Sequence, residues 1–314
     1  MKEPMVSICC MAYNHEKYIA RALDSFLMQE VAFPFEIIIH DDASADATAE
    51  IIRGYEKKHP DIIKPIYQSE NQYSQGKPIS CEMIYPCASG KYIAFCCGDD
   101  YWTDRSKLQL QVDYMEANQD CALCLHAYYK RFGSSEKKRV CRAFRHDAEI
   151  EPKYIVSWDY PHIPQISSAV FRRKDIEHIP VWAYALNGIE DYPLYNYLLT
   201  KGTVHYIDRA MSVWLYHKTS WTKSMSNDFK RREQHTAAMA SFLDVFNEKT
   251  DGKYIAEVEL AKKKFTFVKL MWAEDYKRAR KSAGYKSQKT KTKMKVLLGS
   301  LSPKLVRRLK KITG

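Results

Sequence analysis

The chain has 314 residues and 46% apolar content, enough to bury a large core and too much for a disordered polypeptide. Its formal charge is +11, yet residues 277–314 hold 14 Lys and Arg and no Asp or Glu, leaving 35 basic against 38 acidic residues elsewhere. The excess belongs to the tail, so a nucleic-acid footprint over the whole chain is not expected. No apolar run approaches the ~20 residues that span a bilayer. The start, Met1-Lys-Glu-Pro-Met-Val-Ser-Ile, lacks a separate apolar segment with a cleavage site, so no signal peptide is expected. The nine cysteines fall mostly inside apolar runs, as in Cys9-Cys10 and Cys96-Cys97. That is the pattern of buried free thiols in a reducing cytoplasm. Cys121 and Cys124 make one isolated pair, short of a zinc set.

Residues 5–11 form a short apolar run between Pro4 and Asn14, which predicts a buried strand. Tyr18, Ile19, Ala22, Leu23, Phe26 and Leu27 then recur at helical spacing. Residues 35–40 read as a second strand ending in Asp41-Asp42, with Ser44 or Asp46 as N-cap of the next helix. Residues 62–67 predict a third strand, residues 77–88 a helix, and residues 92–97 a fourth strand. This β-α alternation predicts an α/β fold with a parallel, helix-covered sheet. A helix over 105–118, a strand over 121–132, a return hairpin near 140–145 and a strand over 166–172 follow. A helix through Thr200 is then closed by Gly202, and strands are predicted at 203–207 and 211–216. Beyond Asn227 the pattern is helical only. The domains expected are therefore 1–226, and 227–314 as a helical C-terminal region.

The fourth strand stops on Gly98-Asp99-Asp100-Tyr-Trp. Ligands of open α/β sheets bind past the carboxyl ends of the strands. Two acids there suit a hard divalent cation, or else they cap the turn into the next helix. Asp41 and Asp42 end another strand of the same sheet, and Glu190 and Asp191 open a later helix. Acids at three such junctions argue for a shared site.

Taken together, these segments resemble the family 2 glycosyltransferases, inverting enzymes of GT-A (Rossmann-like) fold. The resemblance covers roughly residues 5–220. It rests on Val6-Ser-Ile-Cys-Cys-Met-Ala12-Tyr13-Asn14-His-Glu, Ile39-His-Asp41-Asp42-Ala-Ser44, Gly98-Asp99-Asp100-Tyr-Trp, Glu190-Asp191-Tyr-Pro-Leu and Met211-Ser-Val-Trp-Leu-Tyr-His217. It implies a nucleotide-diphosphate sugar donor, most often carrying uracil, with Mg²⁺ or Mn²⁺ as cofactor. On this resemblance Ala12, Tyr13, Asn14, Asp41, Asp42 and Gly98 bind the nucleotide, with Asp41 accepting from the base. Asp99, Asp100 and His217 hold the metal and diphosphate. Asp191 is the general base that deprotonates the acceptor hydroxyl, with Glu190 as the alternative. Ser167, Ser168, Gln165 and His162 fall beside the expected acceptor. Trp158, Tyr160 and Trp182 either stack on sugar rings or pack in the core.

One departure stands out. The family's DxD motif begins with an acid where this chain has Cys97, and a thiol is a poor ligand for Mg²⁺. The processive QxxRW signature is absent, so one sugar is expected per binding event. The expected activity is hexosyl transfer to a glycan or lipid-linked acceptor in cell-surface polysaccharide synthesis. The alternative is a non-catalytic relative that binds sugar nucleotide or membrane through a degraded metal site. A nucleotidyltransferase is set aside because residues 6–18 contain no glycine. In residues 302–312, Leu305, Leu309 and Ile312 share one helical face among Lys and Arg. That arrangement suits either an anionic membrane surface or a solvated tail. The expected location is cytoplasmic, peripheral on the inner face of the cell membrane.

Overall fold

Residues Val6–Ala12 form β1, the strand on which the sheet is built. All but Met11 are buried, as a continuous apolar run predicts for a strand covered on both faces. The structure is a computed structural model and describes residues 3–159, 163–184, 189–220, 222–223, 228–286, 288, 290–303 and 306. Helix α1 (Ile19–Leu27) buries Ile19, Ala22, Leu23 and Phe26 along one stripe. Strand β2 (Phe35–Asp41), helix α2 (Thr48–Lys58), and strands β3 (Ile63–Tyr67) and β4 (Tyr92–Cys97) complete the first half. Next come β5 (Tyr101–Trp102), α3 (Lys107–Ala117), β6 (Cys121–Phe132), β7 (Lys138–Cys141), β8 (Ala148–Glu149) and α4 (Pro152–Val156). Strand β9 (Val170–Arg172), helix α5 (Asp191–Leu199) and the long strand β10 (Thr203–Tyr216) follow.

The sheet runs in the order β3-β2-β1-β4-β9-β6-β10-β5, with β7 beside β6 and β8 beside β10. Strands β3, β2, β1 and β4 are parallel; β9 is antiparallel to both its neighbours, and β5 is antiparallel to β10. The expected helix over 77–88 is instead a π turn at Ser80–Ile84 and a 3-10 turn at Tyr85–Cys87. Pro86 lacks the N–H that a continuous helix needs there. The two strands expected between 203 and 216 are one strand, which slips in register against β6 between Ile207 and Ser212. The strand expected over 166–172 begins as a 3-10 turn, Ile166–Ser168, so only its last three residues pair.

Register in the first half is pinned by a buried carboxylate. Glu36 on β2 accepts from the Ser7 hydroxyl of β1 at 2.6 Å, and from the Ser89 amide and hydroxyl before β4 at 2.8 and 2.7 Å. It also pairs with Lys64 of β3. The Gly90 amide donates to Ser7 Oγ at 2.8 Å, and a Cβ at Gly90 would lie 2.5 Å from the Ser7 nitrogen. Only glycine allows that approach.

The described chain divides into two compact units. One comprises Met1–Ile155 and Asp159–Lys218, the other Val156–Trp158 and Thr219–Gly314. The expected boundary between 226 and 227 lies outside the described residues. The second unit contains α6 (Phe229–Lys249), α7 (Ile255–Trp272), α8 (Tyr276–Lys281) and α9 (Thr290–Leu301). Asp228 and Asp275 cap α6 and α8, and Phe246 stacks on Tyr254 at 5.3 Å. Leu305, Leu309 and Ile312 of the amphipathic tail lie outside the described residues. No described helix is long and apolar enough to cross a membrane.

Burial alone would raise the Glu36 carboxyl, but bonds from Lys64, Ser7 and Ser89 outweigh it and hold it below its ordinary value. Its stabilising contribution is therefore complete above the unfolded-state pKa and is lost as pH falls through the lower folded one. Glu36→Gln should lower stability at pH 7 by about 1–3 kcal/mol, the cost of disturbing buried hydrogen bonds to a charge. The deficit should shrink in acid. Urea unfolding at pH 7 and pH 3.5 measures both; a deficit that stays constant with pH refutes the assignment.

Candidate active site

The pairing register brings three strand ends level: Ala12 of β1 faces Asp41 of β2, and Met11 faces Cys97 of β4. The chain leaves β1 outward through β2 and β3, then returns to β1's other side as β4. This is the switch point at which an open sheet leaves a crevice beyond its carboxyl edge.

On the β1–β2 side, two loops are tied together. Asn14 takes a left-handed φ of 54° and its Oδ1 accepts from the Ala45 amide at 2.9 Å. The Asn14 amide donates to Ser44 Oγ at 2.9 Å, and that hydroxyl donates to Asp41 Oδ1 at 2.5 Å. The His15 amide donates to Thr48 Oγ1 at 2.7 Å. Asp42 braces a third loop, its two oxygens accepting from the Gln72 and Tyr73 amides at 2.7 and 3.1 Å. Tyr13 stands at the rim, 46% exposed.

On the β4 side the turn closes over Gly98, whose amide donates to the Met11 carbonyl at 2.9 Å. A Cβ there would meet Ile19 Cδ1 at 2.8 Å and His15 Nδ1 at 3.0 Å. Asp99 Oδ2 lies 2.9 Å from His217 Nε2, just past the end of β10. Burial pushes the Asp99 carboxyl up, but the His217 hydrogen bond and the His15 and His217 charges outweigh it and hold it low. Asp100 differs. It is buried, and its Oδ1 accepts from the Leu215 amide at 2.9 Å. Burial and then the Asp99 charge drive its carboxyl well up. The Asp100 side chain thus fastens β10 to the turn. Burial, then Asp99 and Asp100, keep the Cys97 thiol far above its ordinary value, and Asp191 adds to the same effect. Cys97 is therefore a neutral thiol within electrostatic reach of all three acids.

Asp191 is the first residue of α5, and its Oδ1 accepts from the Tyr192 amide at 2.9 Å. Burial raises its carboxyl to about 6. Glu190, raised by burial to about 7, has Oε2 on the Ser80 amide at 2.9 Å and so ties α5 to the π turn. Ser167 and Ser168 are fully buried and bond to Ser212 and the Gln165 carbonyl, respectively. Trp182 meets Tyr197 edge-on at 5.8 Å, and Trp158 takes a left-handed φ of 48°. Tyr160 and His162 lie outside the described residues.

Two residues at this edge escape sequence reasoning. His15 Nδ1 is buried beside Gly98 without a hydrogen-bond partner. Tyr18 packs on the His217 ring at 4.6 Å. Tyr18 reads as one of the apolar helix positions, and His15 becomes visible only once β4 lies beside β1.

The model of the family described as Glycosyl transferase family 2 matches residues 7–179. The uncharacterized protein Rv1520 of Mycobacterium tuberculosis is 30% identical over 251 residues, 79% of this chain and 69% of its own length. The UDP-Glc:alpha-D-GlcNAc-diphosphoundecaprenol beta-1,3-glucosyltransferase WfaP of Escherichia coli is 29% identical over 198 residues, 63% of this chain and 71% of its own. Among solved structures, S. aureus TarS 1-349 in complex with UDP-GlcNAc superposes with a TM-score of 0.60 at 17% identity, covering 92% of this chain and 77% of that one. The mannosyltransferase PcManGT from Pyrobaculum calidifontis, in complex with GDP-Man and Mn²⁺, gives 0.59 at 16% identity, covering 99% and 84%. At such identities the likeness speaks for the fold, a mostly parallel GT-A sheet.

Asn14 offers a check on the loop geometry. Asn14→Ala and Asn14→Gly both lose the tie to Ala45, but only alanine also bears the left-handed backbone. Glycine should be the more stable of the two by about 1 kcal/mol. Equal unfolding midpoints would contradict the left-handed turn.

Proposed function

The chain belongs to glycosyl transferase family 2, and we propose that it moves a hexosyl group from a UDP-sugar to a glycan or lipid-linked acceptor in cell-surface polysaccharide synthesis. The observation that carries this reading is the Asp99–His217 pair past the carboxyl edge of β4, together with the buried Asp191 that opens α5. A leaving-group site and a base come from different segments, which inversion requires because they act on opposite faces of the sugar. The UDP-sugar and the diphospho-lipid acceptor in WfaP's name support the donor and acceptor classes. An acceptor of that kind also favours work at the inner membrane face.

The residues fit a divalent cation that arrives with a diphosphate. Asp99 and His217 supply one carboxylate and one imidazole, a donor pair that Mn²⁺ accepts. Among the described residues no group of three or more His, Cys, Asp or Glu side chains is set to hold an ion unaided. A cation shared with phosphates needs only one or two protein ligands. When bound, the ion would neutralise charge on the departing nucleoside diphosphate. Asp100 anchors the turn, which leaves Asp99 as the carboxylate turned to His217.

The nucleoside would lie over the β1–β2 loops. Tyr13 offers an exposed ring to the base, and Asp41, steadied by Ser44, offers an acceptor to its N–H. Asn14 and Asp42 keep those loops in register. Asp191 takes the proton from the acceptor hydroxyl. Its burial keeps it basic enough for that task yet ionised at pH 7. Glu190 positions Asp191 through its bond to Ser80.

Mn²⁺ should tighten UDP binding at least about tenfold, or 1.4 kcal/mol. Asp99→Ala should remove that gain; calorimetry showing an equal Mn²⁺ effect in the variant would exclude Asp99 as a ligand.

Asp191→Asn should cut transfer by about 10²–10⁴ while leaving UDP affinity unchanged. In the wild type the rate should fall about tenfold per pH unit below about 6, as Asp191 protonates. A rate that stays flat down to pH 4.5 would assign the base elsewhere.

A further inference from the structure

A cavity of about 600 Å³ lies past β5, lined by Asp104, Tyr129, Lys138, Arg142, Asp208 and Arg209 among others. The register slip of β10 creates its wall. Between Ile207 and Ser212 the strand loses step with β6, and Asp208 and Arg209 sit in that irregular stretch. None of these residues enters the donor or base chemistry above.

The charges there are arranged asymmetrically. Arg209 Nε pairs with Asp104 Oδ2 at 2.6 Å, and Arg142 Nε pairs with Asp208 Oδ1 at 3.3 Å. Both acidic side chains are only 13% exposed, whereas the two arginine side chains are 53% and 49% exposed. The acids also have inner partners: Asp104 accepts from the Ser106 amide and Asp208 from the Tyr206 hydroxyl. Each carboxylate thus pairs with its arginine at Nε, while both arginine side chains stay about half exposed. Lys138 adds a third cation. It lies 5.6 and 5.8 Å from the Tyr101 and Tyr129 ring centroids and has no ion-pair partner among the described residues. Two half-exposed arginines anchored at Nε, with a lysine lining the same cavity, supply the residue types suited to recognising phosphate oxygens.

We propose that this cavity is a phosphate subsite for the acceptor, binding a phosphate or diphosphate that the acceptor carries. The inference rests on the transferase reading of the Asp99 turn, from which it is separated in sequence only by Tyr101 and Trp102. The phosphate comes either from a lipid diphosphate or from a phosphate-bearing glycan, and two probes separate these sources.

Calorimetry is done in EDTA, because the cavity needs no metal, with geranyl diphosphate and with glycerol 3-phosphate. The wild type should bind at least one probe, and Arg142→Ala/Arg209→Ala should weaken it about tenfold or more, the scale of a lost bidentate pair. Preference for geranyl diphosphate assigns a lipid source; preference for glycerol 3-phosphate assigns a glycan phosphate. UDP titration with Mn²⁺ runs alongside, and unchanged UDP affinity in the double variant certifies its fold. If that variant does not fold, Lys138→Gln on the exposed hairpin replaces it, with an expected loss of about threefold or more. Absence of binding by the wild type, or equal binding by the variants, overturns the subsite. Failure of the wild type to bind UDP would instead overturn the donor reading and leave the phosphate result standing.

Discussion

The site depends on one interaction at the opposite end of the sheet. Glu36 gathers Ser7, Lys64 and Ser89 around a single buried carboxylate and thereby sets β1, β2, β3 and the start of β4 in step. A slip of one residue in any of these strands would send its side chains to the wrong face. It would also move Asp41 or Asp99 by one strand step, about 3.3 Å, away from its partners. The carboxylate is charged where the chain needs order and far from where it needs chemistry. Its hydrogen bonds outweigh the cost of burying it.

At the functional edge the acids are divided by what they touch. Asp42 and Asp100 spend their oxygens on backbone amides, and Glu190 does the same on Ser80. Asp99 has an imidazole for its partner, and Asp191 accepts from the Tyr192 amide at its own helix start. Support beneath the turn is unusual. Lys107 is fully buried over the Trp102 ring at 4.1 Å, with Gln111 as its hydrogen-bond partner, and burial lowers it to about 7. The Trp102 indole then donates to the Ser167 carbonyl at 3.0 Å, which explains why Ser167 is a packing element.

Much of this was legible in the residues. Uninterrupted apolar runs marked β1, β2 and β4, because a strand covered on both faces has no polar side to show. Acid pairs after those runs marked the edge. What could not be read were features that depend on distant partners. Nothing local distinguishes Asp99 from Asp100; the distant His217 ring and Leu215 amide do. The helix expected over 77–88 failed because Pro86 and the tie from Glu190 to Ser80 impose shorter turns. The slip within β10 is likewise invisible, since it is set by pairing with β6 and not by composition. Cys97 broke the expected motif, and burial, then the Asp99 and Asp100 charges, keep it a neutral thiol.

The pairing of Asp99 with His217 spans 118 residues of chain. Strand β10, which delivers the histidine, is the last strand of the sheet to be synthesised. The earlier strands can align their ends as they emerge from the ribosome, but the edge has no imidazole until β10 docks between β6 and β5. A growing chain therefore carries its aspartates without the partner that tunes them. The pair forms in one late step, when β10 docks.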